Sequence, residues 1–324
     1  MADWFVEEGI AEHRAVRIAA GQIVEARIAW PGRLAAGTIV ETRLTSRAAG
    51  SNRGTAISPT GEEILVDRLP REANEGASIR LAIVRAALDG PGRLKRAQGR
   101  PSSDAPAQPS LVQMLRAAND TVTVVRRLAE GDWDELLAEA SSGEINFPGG
   151  ALLLAPTAAL TTIDIDGTLP PRALALAAVP VIANALRRLA IAGSIVVDFP
   201  TLADKADRRA VDEALGAALG EWPHERTAMN GFGLVQIVSR LEGPSLLQLA
   251  TWRRGPFAWR QLLRRAEALT GPGKVELSIS PTIEAAVEPA HLTELERRTG
   301  KSVRIRTIPG LALEASHAQL VGDD

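Results

Sequence analysis

The chain has no cysteine. Disulfides and zinc–thiolate sites are therefore excluded together. Its four histidines, His13, His224, His291 and His317, show no HxxxH or HxH spacing. A histidine-based metal site is not expected, and each reads as a surface residue. Long apolar runs are missing too. The most apolar window, Ala173–Ala192, carries Arg187 and Arg188 and has helical periodicity. Neither a membrane span nor a signal peptide is expected, and a cytoplasmic location follows by default. Lysine occurs only at 95, 205, 274 and 301, so arginine supplies nearly all of the 37 basic residues. Residues 35–97 contain no aromatic residue, which removes base stacking as a way to hold nucleic acid there.

What remains is an ordinary chain of 324 residues, 45% hydrophobic, with a formal net charge of −2. That length supports two or three domains and an ample core. The charge is unevenly placed. Residues 31–100 hold twelve Lys/Arg against seven Asp/Glu, and Trp252–Arg265 has five arginines, two tryptophans and no acid. Arginine interleaved with aromatics suits phosphate contact and base stacking, and it equally suits an Arg-rich helix over buried tryptophans.

Two alternating segments, Glu12–Ile18 and Gln22–Ile28, flank Ala-Ala-Gly21 and predict a β-hairpin. Strand patterns continue over 37–44, 54–57, 63–66 and 78–84, separated by Gly and Asn turns, which predicts a small barrel or sandwich. Residues 98–109 read as a Pro- and Ser-rich linker. Residues 110–142 read as helical. An α/β pattern follows: strands at 151–154 and 159–165, a long apolar helix over 171–189 with Pro180 inside it, and a buried strand over 193–198. Strand, crossover helix, strand implies a parallel pair. A helix over 207–219 and a strand over 231–238 come next. The last unit has helices at 258–269 and 288–299 and strands at 274–279 and 302–307.

The run Leu160–Thr168 places Asp164 and Asp166 two apart at the end of a β-branched strand, on one face. Asp198 ends the strand Ser-Ile-Val-Val, at the same sheet edge in the implied parallel pair. Open α/β sheets carry their chemistry at the carboxyl ends of strands. Carboxylates gathered there, with no histidine or cysteine, are hard oxygen ligands that select Mg²⁺ or Mn²⁺. An arginine such as Arg208 could instead neutralise one of them.

Two families meet at these residues. Ile163-Asp-Ile-Asp-Gly-Thr-Leu169 resembles the nucleophile motif of haloacid dehalogenase-like phosphatases. That family also needs a downstream Ser/Thr, a lysine and an acidic pair, for which Thr307, Lys274 and Asp323-Asp324 stand out of the expected order. A longer resemblance is to the ribonuclease E/G family. Phe147–Asp166, Ile182–Arg187, Ala192–Phe199, Arg209–Asp212, Phe232–Arg240 and Pro244–Leu246 are similar to its blocks, in order and near its spacing.

The resemblance implies an α/β, multidomain fold: a β-rich S1-like module with the N-terminal hairpin over 1–97 and a linker over 98–109. After these would come an RNase-H/DNase-I-like catalytic core with parallel strands over 110–250 and a small C-terminal α/β domain over 251–324. It places Asp164 and Asp198 on the two family aspartates that hold a catalytic Mg²⁺, and Asp166 on a family asparagine beside them. It implies metal-dependent hydrolysis of single-stranded RNA to 5′-phosphate and 3′-hydroxyl ends, in RNA processing or decay. For such a nuclease, Arg208, Arg209, Arg226 and Arg240 are candidates for phosphate contact, followed by Arg253, Arg254 and Arg260. Arg43, Arg47 and Arg53 are the candidates on the barrel. The family's zinc-binding cysteine pair is missing, so zinc-linked assembly is not expected, and a homodimer is left open. The stretch before Phe147 is too short for the family's 5′-phosphate-sensing module. Asp166 in place of asparagine leaves a non-catalytic RNA-binding relative as the alternative to a nuclease.

Overall fold

The computed structural model describes residues 3–90, 92–118, 120–128 and 132–322, with the backbone alone for Arg93, Leu94 and Asp132. The N-terminal hairpin forms as its alternation predicts, from His13–Ala19 and Gln22–Ala29. It belongs to a four-stranded sheet in the order 122–125, 4–8, 13–19, 22–29. The outer strand, Val122–Val125, pairs parallel with Trp4–Glu8. It interrupts the stretch read as helical, because the energy of that pairing comes from the far end of the chain and leaves no trace in local periodicity.

Five strands, 39–47, 54–57, 63–66, 78–85 and 97–101, close into a barrel around Leu44, Ile64, Val66, Leu81 and Ile83. The last of them lies mostly inside the expected linker. Ala97–Pro101 pairs with both 63–66 and 78–85, and so removes the open edges that a four-stranded sheet would expose.

The central sheet has six strands: β1 (Glu144–Phe147), β2 (Gly150–Pro156), β3 (Thr161–Gly167), β4 (Gly193–Asp198), β5 (Glu225–Arg226) and β6 (Leu234–Ser239). Their order is β1-β2-β3-β4-β6-β5. Only β3 and β4 are parallel; every other neighbouring pair is antiparallel. This corrects the expectation of a core of parallel strands. The turns from β1 to β2 and from β2 to β3 are too short for a crossover, whereas helix α1 (Pro171–Arg188) spans β3 to β4. One face of the sheet is apolar: Ile145, Leu152, Leu154, Ile163, Ile165, Ile195, Val197, Val235 and Ile237 are all buried. They share a core with Leu174, Ile182 and Leu186 of α1 and with Val211, Leu215 and Leu219 of α2 (Lys205–Leu219).

The C-terminal unit is a three-stranded sheet, ordered 303–307, 274–279, 317–321, beneath α3 (Arg254–Glu267) and the helix Pro289–Thr299. Its core includes Ile10 from the N-terminal segment. A buried ionic network reinforces that join. Glu7 meets Arg14 at 2.7 Å and Arg264 of α3 at 3.1 Å, and it accepts the Leu128 N–H at 2.7 Å. Glu12 meets Arg14 at 2.6 Å and accepts from the Trp30 indole at 2.9 Å.

His291 departs from the surface position expected of it. The fully buried Trp259 donates its indole N–H to His291 Nδ1 at 3.2 Å. Burial lowers the His291 pKa below its ordinary 6.5, Arg260 adds to this, and Glu288 opposes it. The unfolded chain therefore binds more protons than the folded one just below 6.5. The stabilisation is complete above that value and is lost as pH falls toward the lowered one. His13, lowered by burial as well, acts with the same sign. Thermal unfolding followed from about pH 7 to pH 5 is expected to show falling stability. His291→Gln should flatten that slope; an unchanged slope would assign the effect to other groups.

Candidate active site

The face of the central sheet opposite the core is open, and the sequence alternation decides what stands on it. Asp164 and Asp166 alternate with buried Ile163 and Ile165, and Asp198 follows buried Val197, so all three carboxylates are exposed on that face. The parallel register makes Asp164 and Asp198 direct Cα partners, about 4.8 Å apart across the ladder. Leu153 of β2 flanks Asp164 on one side, and Leu234 of β6 flanks Asp198 on the other. Asp166 lies one row further out, beside Ala151 and beyond the end of β4.

Among the described residues, no cation pairs with any of the three. Asp164 Oδ1 accepts the N–H of Ile165 at 3.0 Å. Arg208, the arginine that the sequence offered as a neutralising partner, donates instead to the carbonyls of Leu202 and Ala203. Like charges directly opposite on neighbouring strands are destabilising, and a bound cation is the simplest relief. No cluster of three or more His, Cys, Asp or Glu residues suited to a metal forms among the described residues. The donor set is thus a carboxylate pair. It fits an ion such as magnesium, which keeps several of its waters, and it does not fit an all-protein cage.

The glycine that follows Asp166 has a structural reason to be there. A Cβ on Gly167 would lie 2.4 Å from the Gly149 carbonyl oxygen and 2.5 Å from Leu174. Gly167 lets the β1–β2 turn close onto the end of β3, with Thr168 N–H bonded to that same carbonyl at 3.0 Å. Thr307 and Lys274, which a phosphatase of the haloacid dehalogenase type would need, lie on the separate C-terminal sheet. Asp323 and Asp324 lie outside the described residues.

The arginines divide by location. Arg209 is 80% exposed on α2, paired with Glu213 one turn on. Arg226 is ion-paired to Asp212 and donates to its carbonyl, tying α2 to β5. Arg240 is exposed but lies past the opposite end of β6 from the Asp198 row, roughly 20 Å away at ~3.3 Å per residue. There it borders a cavity of about 570 Å³ lined also by Trp30, Arg33, Arg187 and Trp222. Arg253 and Arg254 pair with Asp89 and Glu314 at 2.9 Å each. Arg260 is buried, 3.9 Å from the Trp30 ring centroid, with its Nε on the Ala11 carbonyl. On the barrel, Arg43 donates to Gly76, Arg47 to the carbonyls of Pro70, Arg71 and Ala73, and Arg53 pairs with Asp67. Of all these, Arg208 and Arg209 are the candidates nearest in the chain to Asp198, in the helix that follows β4.

Two groups that follow Asp198 in the chain carried no site assignment from the sequence. Lys205 opens α2, exposed and without a partner among the described residues. Phe232 stands 81% exposed in the turn before β6. Its sequence signal is the flanking Gly231 and Gly233, which leave it no neighbour to pack against.

Comparison with known proteins gives one match. No curated protein matches the chain. The model of the Ribonuclease E/G family matches residues 88–240. That stretch holds all six strands of the central sheet, Asp164, Asp198 and Phe232. Over these residues, just under half of its length, the chain is similar to the ribonuclease E/G family.

Proposed function

We propose that this protein is a Mg²⁺-dependent endoribonuclease that hydrolyses single-stranded RNA, with Asp164 and Asp198 holding the metal. The observation that carries the proposal is the pair of unneutralised carboxylates on adjacent parallel strands, within the segment that matches the family. Magnesium, or manganese in its place, supplies when bound an activated water and charge neutralisation at the phosphate. The chain's own part is to position the substrate. The rigid β3–β4 ladder keeps the two carboxylates in register. Arg209 and Lys205 offer exposed cations on α2 for the RNA backbone. Asp212 accepts from Arg226 and, at 3.3 Å, from the Met229 N–H, and so steadies the segment leading into β6. The closed barrel, read as S1-like, would follow the RNA backbone by charge alone, since it has no ring to stack. The central sheet is read as the RNase-H/DNase-I-like core, and the reaction as RNA processing or decay in the cytoplasm. No helix among the described residues is long and apolar enough to cross a membrane.

Asp166 favours a second reading. A third carboxylate in the position of a family asparagine adds repulsion toward phosphate, which would leave a protein that binds RNA without cutting it.

The test is incubation of an end-labelled single-stranded oligoribonucleotide with Mg²⁺, with Mn²⁺ or with EDTA. Internal cleavage that stops in EDTA and leaves 5′-phosphate and 3′-hydroxyl ends is expected. Products with 2′,3′-cyclic phosphate would overturn the hydrolytic mechanism. RNA bound but intact with both metals would establish the non-catalytic reading.

A further inference from the structure

We infer that Phe232 is a base-stacking residue, holding a nucleobase of single-stranded RNA beside the Asp164–Asp198 pair. The inference rests on the nuclease reading above, and it adds a substrate-positioning group to that site. Among the described residues, Phe232 is the one exposed Trp or Phe ring: each of the other ten is buried or half-buried. The barrel, where a nucleic-acid-binding module would stack bases, has no aromatic residue. On the central sheet, where the carboxylate pair stands, Phe232 is the exposed ring available for stacking.

The turn that carries it is built rather than loose. Asn230 Oδ1 accepts the N–H groups of Phe232 at 2.8 Å and of Leu234 at 3.1 Å, and the Asn230 N–H donates to the Leu234 carbonyl at 3.1 Å. Gly233 has φ +90°, and a Cβ there would lie 2.4 Å from the Phe199 carbonyl oxygen. Any side chain at 233 would push the turn off the end of β4. The Gly233 carbonyl in turn accepts the Phe199 N–H at 3.2 Å. The ring is therefore fixed one residue from a backbone bond to Phe199, the neighbour of Asp198. Space is reserved beside it: a Cβ on Gly231 would meet nothing within 4 Å.

The surroundings favour a base over a protein surface. Protein partners recognise contiguous apolar patches of several hundred Å², whereas Phe232 is a single exposed ring among two glycines and an asparagine, and the leucines on the neighbouring strands, Leu153 and Leu234, are separated by the carboxylates of Asp164 and Asp198. A lone π-face next to a phosphate-handling site matches the stacking platforms that bind single strands without regard to sequence.

The experiment measures binding of a single-stranded oligoribonucleotide containing 2-aminopurine, with Asp198→Asn as the background so that RNA stays intact. Adding Phe232→Ala is expected to weaken binding about tenfold and to remove the stacking quench of 2-aminopurine. The slope of affinity against salt should not change, because no phosphate contact is lost. Phe232→Trp should retain binding and quench, and Phe232→Leu should behave like Ala. Unchanged affinity in Phe232→Ala, or full retention by Leu, would overturn the inference while the nuclease reading stands. A loss of self-association in place of RNA affinity would reassign the ring to a protein contact. If the otherwise unaltered chain neither binds nor cuts RNA, the nuclease reading falls and the inference falls with it.

Discussion

Asp198→Asn is expected to lower RNA cleavage by at least about 10²–10³-fold while making the metal-free protein slightly more stable. The two effects have one cause. Asp164 and Asp198 are direct partners on parallel strands, both exposed, and neither is paired with a cation among the described residues. Their repulsion costs roughly 0.2–1 kcal/mol in the folded state, and the amide removes it. The same substitution halves the charge that would attract a magnesium ion. Melting curves with and without Mg²⁺ separate the contributions. The unaltered chain should gain stability as Mg²⁺ is added, by linkage to binding, and Asp198→Asn should not. Asp164→Asn should behave alike. A variant that cuts RNA at the full rate would remove the pair from the chemistry. A variant that is markedly less stable would make Asp198 a structural residue.

The largest effect on stability is expected from Glu7. Its carboxylate is 4% exposed and sits between Arg14, 1% exposed, and Arg264, 5% exposed. Removing the shared carboxylate leaves two buried arginines with one partner fewer each, Arg14 keeping Glu12 and Arg264 keeping Asp134 at 3.7 Å; breaking a buried pair costs about 3–5 kcal/mol. Glu7→Gln should therefore lower the melting temperature by about 10 °C. It should also weaken the seam between the N-terminal sheet and α3, because Arg264 donates to Leu128 as well as to Glu7. The double variant Glu7→Leu/Arg264→Met should lose less than the sum of the two single changes, and the difference measures their coupling. Calorimetry of the four proteins decides it: a shift within experimental error for Glu7→Gln would mean that water or neighbouring groups compensate the arginines.

These two sites differ in how far the sequence announced them. The carboxylate pair was legible because its signals are local. Gly193–Asp198 opens on a glycine and holds the β-branched run Ile195-Val-Val197, and it forms a strand over those residues. A helix-length crossover is the connection that a parallel pair needs, so the pairing of β3 and β4 was the expectation that the order of elements favoured. The Glu7 network had no such signal. Arg264 and Glu7 are 257 residues apart, and nothing near either residue says that the other will neutralise it. The Trp252–Arg265 window illustrates the same limit. Its arginines read equally as an RNA surface or as the face of a packed helix. In the structure Arg264 is spent on Glu7, and Arg260 on the Trp30 ring and the Ala11 carbonyl.

The sequence by itself determined the chemical inventory: no thiol, no histidine cluster, an aromatic-free barrel, and three aspartates in phase on strand ends. Composition and period-2 alternation are properties of the chain alone, so they survive folding unchanged. Tertiary structure decided the rest. It set Asp164 in the same row as Asp198 and left both without a cation among the described residues. It buried some arginines and left others in solvent, and it held Phe232 out on a turn. Those outcomes depend on register and on partners remote in sequence, whose energies exist only once the sheets and helices have met.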